Sequence, residues 1–257
     1  KAKYFVHMPH SIVSLHMIYP EDAFDGYDVL FAAGPHHVAE WNAINTARAR
    51  QQKPVYPVGY GKLDLLHAML QQSRSKNSTK KVLIAPSWGS DNLLDHCGVA
   101  LAQACLAAGY QVTVRPHPLF FLDKAPVLDA LNAIQGITIE SPFEKDAAIF
   151  EADVLVGDYS GIGFEFAALR GKPVVSVDVG LKIVNANWQR YNIAPLEIDH
   201  RTKLGPVVKP ELIAIMQAIS IALLQADAPK TDYLCAAPGQ CAANATNRLQ
   251  SLLRGAA

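Results

Sequence analysis

The chain has 257 residues, half of them apolar, and balances 23 Lys plus Arg against 23 Asp plus Glu. That is enough apolar matter for the core of one or two domains. The balanced charge excludes an overall field that attracts nucleic acid, so an anionic substrate must be held by local groups, and no apolar run reaches the roughly 18 residues of a membrane-spanning helix.

The opening Lys1-Ala2-Lys3-Tyr4 carries neither an initiator Met nor the pattern of a secretion signal, so the N-terminal half reads as partial, with residues upstream of it. Short apolar runs at 4–8, 29–32 and 55–58 read as strands. The hydrophilic stretch 71–81, Q-Q-S-R-S-K-N-S-T-K-K, reads as a linker. Beyond it, strands at 82–85, 112–114, 137–139, 154–156 and 174–177 alternate with helical spacing at 92–108 and 126–134, and a helix at 210–224 follows. The Ala-rich tail after Asp227 has no clear core pattern. Short β-branched runs alternating with helices imply parallel sheets covered on both faces. The expected fold is α/β: two Rossmann-like domains over 1–75 and 80–230, the first incomplete, then a tail over 231–257.

Cys97, Cys105, Cys235 and Cys241 form no C-x-x-C pair and no metal spacing. They read as reduced structural thiols of a cytosolic protein, with Cys235 and Cys241 able to pair only in an oxidising compartment. His7, His10, His16, His36 and His37 cluster in the N-terminal part, but none pairs at helical i,i+4 spacing with an acidic ligand beside it, and no cysteine assists. No bound metal is expected.

The most informative stretch is V-L-V-G-D-Y-S-G-I-G-F-E-F-A-A-L-R-G-K-P-V-V, Val154 to Val175. Asp158-Tyr159-Ser160 forms the turn at the carboxyl end of a predicted parallel strand, where open α/β sheets bind ligands. Ser160 is a good N-cap, and Gly161 and Gly163 leave the first backbone N–H groups uncovered. Such a helix start attracts a phosphate through those donors and the helix dipole. The competing explanation is that Asp158 and Ser160 only cap the helix. Glu165 tips the balance. Helical spacing sets it among Ile162, Phe166 and Leu169 on the face that meets the sheet, where a carboxylate is costly unless partnered. A ribose diol would partner both of its oxygens, and phosphate plus ribose describes a nucleotide.

The run D-Y-S-G-I-G-F-E-F-A-A-L-R-G-K-P-V-V resembles the donor-site signature of the CDP-glycerol glycerophosphotransferases, the teichoic-acid and capsule polymerases, roughly D-Y-S-S-x-x-F-D-F-A-x-L-x-K-P. Further matches stand in the same order: Val55-Tyr56-Pro57-Val58-Gly59-Tyr60 with Asp64, Ile84-Ala85-Pro86-Ser87-Trp88, and Arg115-Pro116-His117-Pro118. The chain departs from the pattern at Gly161 for a second Ser, at Gly89 for the Arg after P-T-W, and at Glu165 for Asp. The Ser160-Gly161 pair is also similar to the S-G-G-I-x-E-E helix of UDP-sugar 2-epimerases. The resemblance implies a GT-B fold and transfer of a polyol phosphate, or a relative of it, from a CDP-linked donor. It implies no cofactor beyond that nucleotide-linked substrate, a polyol-phosphate or glycan acceptor at the cell envelope, and a cytoplasmic protein with room for peripheral membrane association.

Arg115 and His117 follow the strand at 112–114, so Arg115 suits a two-pronged grip on phosphate and His117 suits charge stabilisation on the leaving nucleotide; the family places its R-x-H-P here. Ser87 ends the strand at 82–85 and is a phosphate donor group, while Trp88 suits a core anchor as well as a base platform. Asp91 reads as a helix cap. The family's W-H-G motif falls on Phe5-Val6-His7-Met8-Pro9-His10-Ser11, so His7 and His10 compete as general base. His7 lies in the apolar strand as a satisfied core histidine, and His10, at the turn beyond Pro9, is chosen. His36 and His37 read as a solvated helix start, and Asp64 as serving the helix start in the linking segment. The expected enzyme has an acceptor part at 1–75 and a donor part at 80–230. Its catalytic residues are His10 and His117, and its donor residues are Ser87, Arg115, Asp158, Ser160, Gly161, Gly163 and Glu165. The competitors are a 2-epimerase, which needs acid/base carboxylates that the N-terminal half does not place in a strand-end loop, and a non-catalytic nucleotide-binding module.

Overall fold

The computed structural model describes residues 3–71, 79–123, 125–141, 147–225 and 227–255; most of the predicted linker lies outside them. In chain order the elements are β1 (Val6–His7), β2 (Val29–Ala32), α1 (Pro35–Ala47), β3 (Val55–Pro57), α2 (Gly61–Leu70), β4 (Lys81–Ala85), α3 (Val99–Ala107), β5 (Gln111–Val114), α4 (Phe120–Asp123), α5 (Ala125–Asn132), β6 (Ile137–Ile139), α6 (Ala147–Glu151), β7 (Val154–Gly157), α7 (Gly161–Arg170), β8 (Val174–Val177), α8 (Leu196–Asp199), β9 (Val207–Val208), α9 (Leu212–Leu224) and α10 (Cys241–Arg254). The chain divides into two compact units: Lys1–Gln72 with Lys182–Asp199 and Thr231–Ala257, and Ser73–Leu181 with His200–Lys230.

In the first unit β1, β2 and β3 form a parallel sheet in that order. Central β2, Val-Leu-Phe-Ala, is buried at every position, as a parallel strand covered on both faces must be. Its side chains alternate between the faces. Leu30 and Ala32 meet Trp41 and Ile44 of α1, which opens with Pro35, suited to the first helical turn. Val29 and Phe31 cluster with Cys241, Ala245 and Leu252 of α10. The tail for which the sequence offers no core pattern therefore supplies this unit's second covering helix. Its apolar stripe is one narrow line in a polar helix, too thin to stand out in the sequence.

The second unit holds a six-stranded sheet in the order β6-β5-β4-β7-β8-β9, all parallel. Val82, Ile84, Val112, Val114, Val154, Val156, Val175 and Val177 face one way, onto Leu101 and Cys105 of α3 and Ile215 and Ile219 of α9. By the same alternation Leu155, Val174 and Ser176 face α7, whose Phe164 and Phe166 are buried, each worth about 1.5–3 kcal/mol of transfer free energy. The expected parallel α/β architecture is thus what forms in both units. The two-residue β9 has no counterpart in the sequence reading, since two valines make no visible run. α3 is entered through a π-helical turn, Leu94–Gly98. The four cysteines are free thiols, and burial pushes Cys105 up to about 12. Among the described residues, no helix is long and apolar enough to cross a membrane.

Candidate functional site

The sheet order of the second unit decides where its site lies. From β4 the chain moves outward through β5 and β6, then returns to the other side of β4 with β7, β8 and β9. The reversal falls between β4 and β7, and open α/β sheets bind ligands beyond the carboxyl ends of the strands flanking such a point. The β4 end carries Ser87, the β5 end Arg115 and His117, and the β7 end Asp158 and Ser160. These three strands are consecutive in the sheet, so the three predicted loops gather at one edge.

Asp158 ties two of them together. It is 6% exposed, and its Oδ1 accepts the backbone N–H of Ser87 at 2.6 Å while Oδ2 accepts that of Leu93 at 2.9 Å. Ser160 is the N-cap of α7, but its Oγ accepts from Ile162 N at a long 3.5 Å. So long a cap bond satisfies the first turn only weakly. Gly163 packs closely: a Cβ there would stand 3.3 Å from Val174 Cγ1, so that side chain would have to give by a few tenths of an ångström. α7 does not carry the single apolar stripe expected from its spacing. Gly163 through Ala167 and Leu169 are all buried, with Glu165 only 3% exposed among them. The helix is closed in on nearly every side because it lies over the centre of the sheet.

His117 accepts the backbone N–H of Leu119 at Nδ1, 3.3 Å, which places the proton of the neutral ring on Nε2. Its ring centroid is 6.2 Å from that of Trp88, which is 39% exposed, so the β4 and β5 loops meet here as well. Arg115 is engaged within the protein: Nη1 donates to Glu140 Oε2 at 2.5 Å, and Glu140 Oε1 accepts Ala148 N at 2.8 Å. It braces β5 against the end of β6 and α6. Asp91 does not cap the helix after β4. Asn92 does, its Oδ1 accepting from Leu94 N and Asp95 N, while Asp91 Oδ2 accepts Gly180 N at 2.8 Å beyond β8. A groove of about 960 Å³ also runs over the β4–β6 face beside α6, but it includes none of Ser87, His117, Asp158 and Ser160.

In the first unit the histidines do something the sequence conceals. Residues 12–17 form no regular element yet are wholly buried, so their backbone groups need partners. Side chains supply them. His36 and His37 donate from Nε2 to the carbonyls of Ile12 and Val13, each at 2.9 Å. Glu197 and Glu40 accept from Ser14 N at 2.8 Å and Leu15 N at 2.5 Å, and Asn185 donates to His16 O at 2.9 Å. Half-buried His36 and buried His37 thus act as a clamp, not a solvated helix start, and burial holds His37 well below the ordinary histidine range. Burial, then the charge of Glu40, pushes Glu197 up to about 7. No motif marks this arrangement, because its members come from α1, α8 and two loops.

His7 is wedged between Phe24 and Tyr27, each ring centroid 4.9 Å away, and its buried Nε2 has no hydrogen-bond partner, so it is not a satisfied core histidine. Burial and then nearby His10 lower its pKa. His10 is exposed on a loop whose carbonyl accepts the Tyr60 hydroxyl at 3.0 Å. That places a physical purpose on Gly59-Tyr60: Gly59 holds φ +106°, and a Cβ there would fall 2.6 Å from Ala236 O. Asp64 serves the start of α10, not of its own helix, by accepting Gly239 N at 2.7 Å and Cys241 N at 2.9 Å. Among the described residues, no group of three or more His, Cys, Asp or Glu is placed to hold a metal ion.

The family model described as CDP-Glycerol:Poly(glycerophosphate) glycerophosphotransferase matches residues 23–183, more than half of the chain. No curated protein is significantly similar in sequence. Similar solved structures include the UDP-GlcNAc 2-epimerase of Neisseria meningitidis bound to UDP-GlcNAc, 14% identical with a TM-score of 0.51 over 89% of this chain and 61% of that one. They include S. aureus MnaA with UDP, 13% identical, TM-score 0.57, over 90% and 61%. A third is the wall teichoic acid polymerase TagF, 14% identical, TM-score 0.52, over 86% and 60%. At such identities the likeness is one of fold: two Rossmann-like α/β units of the GT-B kind. This chain spans about 60% of the length of each.

Proposed function

The chain belongs to the CDP-Glycerol:Poly(glycerophosphate) glycerophosphotransferase family, and from that membership we propose its reaction. It is a transferase of the glycerophosphotransferase type; the donor we propose is CDP-glycerol or a close CDP-linked polyol, and the acceptor a hydroxyl of a cell-surface polymer or glycan. The acceptor oxygen attacks the phosphorus that carries the polyol, the bond to the bridging oxygen breaks, and CMP leaves with that electron pair. The observation that carries this reading is the weakly capped start of α7 at the β4/β7 reversal, beside Ser87 and the His117 loop.

In this reading the N–H groups of Gly161 to Gly163 and the Ser160 hydroxyl take the donor phosphates, with Ser87 alongside. His117 stabilises charge on the departing CMP, and Arg115 adds positive potential at the β5 end. Glu165 holds the ribose. Asp158 acts at one remove, by fixing the β4 and β7 loops in register. His10 takes the proton of the acceptor hydroxyl, and the reaction runs on the cytoplasmic side with the protein peripheral to the membrane. A 2-epimerase reading rests on fold likeness and the Ser160-Gly161 pair, and is the weaker one beside the family match.

The test is to titrate CDP-glycerol, UDP-GlcNAc and their free nucleotides by calorimetry, then follow CMP release with polyol-phosphate and glycan acceptors. Tighter binding of CDP than of UDP, with CMP released on adding acceptor, is expected. UDP binding as tight or tighter would remove the CDP-polyol reading. Donor binding without release for any acceptor would favour a binding module.

A further inference from the structure

Ser14 N and Leu15 N are consecutive donors in a buried segment without regular structure, and both are answered by carboxylates. Glu197 Oε1 accepts the first at 2.8 Å and Glu40 Oε2 the second at 2.5 Å. Glu197 is fully buried and Glu40 nearly so. Two carboxylates serving adjacent amides in a dry core are costly to ionise together unless a cation stands beside them. Among the described residues, neither is paired with a Lys or Arg; His16 is the basic group at hand. Its Nδ1 lies 3.5 Å from Glu40 Oε2, and its Nε2 faces the Ile193 carbonyl at 3.1 Å. A carbonyl only accepts, so Nε2 carries a proton. A neutral ring would then turn the Nδ1 lone pair toward the carboxylate, and one further proton, on either group, converts that repulsion into attraction. Glu197 has no such neighbour. Its Oε2 is buried without a hydrogen-bond partner, the environment in which a carboxyl keeps its proton.

The other ionisable groups around the pair supply no fixed positive charge. His36 and His37 of α1 hold the Ile12 and Val13 carbonyls, and burial lowers both from the ordinary histidine value. His7 of β1 depresses His37 further, and Tyr233 meets His36 through its backbone. Asp199, on the same short helix as Glu197, faces Tyr233. Tyr19 faces Glu197, whose charge adds to burial in raising its hydroxyl. The Tyr19 ring in turn meets that of His10 edge-on, centroids 6.2 Å apart. The segment is thus joined to His10 by chain continuity at one end and through Tyr19 at the other.

We propose that residues 12–17 are a proton-held gate beside His10. With Glu197 protonated and a proton between His16 and Glu40, the segment stays buried. Stripped of those protons, the two carboxylates stand uncompensated, and the segment opens as a local unit while the sheet remains intact. The closed form binds a proton at Glu197, with its carboxyl at about 7, that the open form, back at 4.5, releases. Opening therefore gains as pH rises to about 7 and levels off beyond it. What the gate does to transfer rests on His10 being the base; the gate itself does not.

Amide hydrogen exchange of the full chain, read by NMR, tests it. Between pH 5.5 and 8, after correction for intrinsic rates, protection of Ser14 and Leu15 is expected to fall about 10- to 30-fold. At low urea their exchange should not depend on urea, the mark of a local opening, whereas Leu30 in β2 should follow the unfolding of the whole unit. Glu197→Gln still accepts from Ser14 N and cannot ionise, so its Ser14 and Leu15 protection should stay level across that pH range. Protection in wild type that does not change with pH, or that falls equally in the variant, overturns the gate. So does exchange at Ser14 and Leu15 that rises with urea as steeply as at Leu30. If the variant does not fold, the pH and urea series of wild type decide alone. A gate seen by exchange, with transfer at pH 8 indifferent to Glu197→Gln, keeps the gate and counts against His10 as the base.

Discussion

The backbone N–H of Ser87 donates to Asp158 Oδ1 at 2.6 Å across the reversal point of the sheet. One carboxylate thereby registers the β4 loop against the start of α7, and its second oxygen does the same for Leu93. Asp158→Asn would set an NH₂ group against one of those two donors. Stability should fall by about 1–3 kcal/mol, the cost of leaving a buried hydrogen-bonding group unpaired, and donor affinity should fall with it. Urea unfolding beside nucleotide titration measures both; unchanged unfolding would mean the loops keep their register without Asp158.

Glu165 is 3% exposed in the second turn of α7, and its proposed task is the ribose. Glu165→Gln should weaken nucleotide binding by about 1–3 kcal/mol while leaving bare phosphate binding nearly unchanged. A raised melting temperature with unchanged nucleotide affinity would instead mark it as a core carboxylate.

His10 and His117 belong to different units and should fail differently. His117→Ala should lower donor affinity and turnover together. His10→Ala should leave donor binding intact and cut transfer by roughly 10²–10⁴-fold, the usual worth of a general base. If His10→Ala transfers at full rate and His7→Asn does not, the base is His7, whose lowered pKa keeps it neutral, and the reaction running, further into acid.

Glu197 gives the first unit a pH dependence whose sign is fixed. Its carboxyl rises from 4.5 in the unfolded chain to about 7 when folded, so the folded protein holds a proton that the unfolded chain releases. This contribution is fully present below 4.5, shrinks as pH rises, and is lost above about 7, a loss of about 3 kcal/mol. Glu197→Gln keeps the acceptor for Ser14 N and cannot ionise. It should match wild type near pH 5 and exceed it at pH 8 in urea unfolding; no gain at pH 8 would show that the carboxyl ionises at its ordinary value. His37 acts oppositely: its depressed pKa contributes stability above 6.5 that is lost in acid.

Much of the second unit was legible because it is local. Strands betray themselves by short β-branched runs, and a helix start by Ser and Gly directly after one; both signals lie within a few residues. The first unit was less so. His36, His37, Glu40 and Glu197 satisfy the backbone of residues 12–17 from places remote in sequence, and no spacing rule relates them. The buried cluster of Arg201 with Tyr159 and Asp178 escaped for the same reason, since 42 and 23 residues separate Arg201 from them.

By itself, then, the sequence determined the alternation of strands and helices, and hence parallel sheets with polar loops at their carboxyl ends, because backbone periodicity and capping are properties of neighbours along the chain. Only the tertiary structure decided that α10 covers the second face of β2, that β4 and β7 flank the reversal, and that a loop without secondary structure is buried intact. These are matters of pairing. A buried N–H or an apolar face requires some partner, and which of several suitable partners fills the place depends on how the whole chain closes over its core.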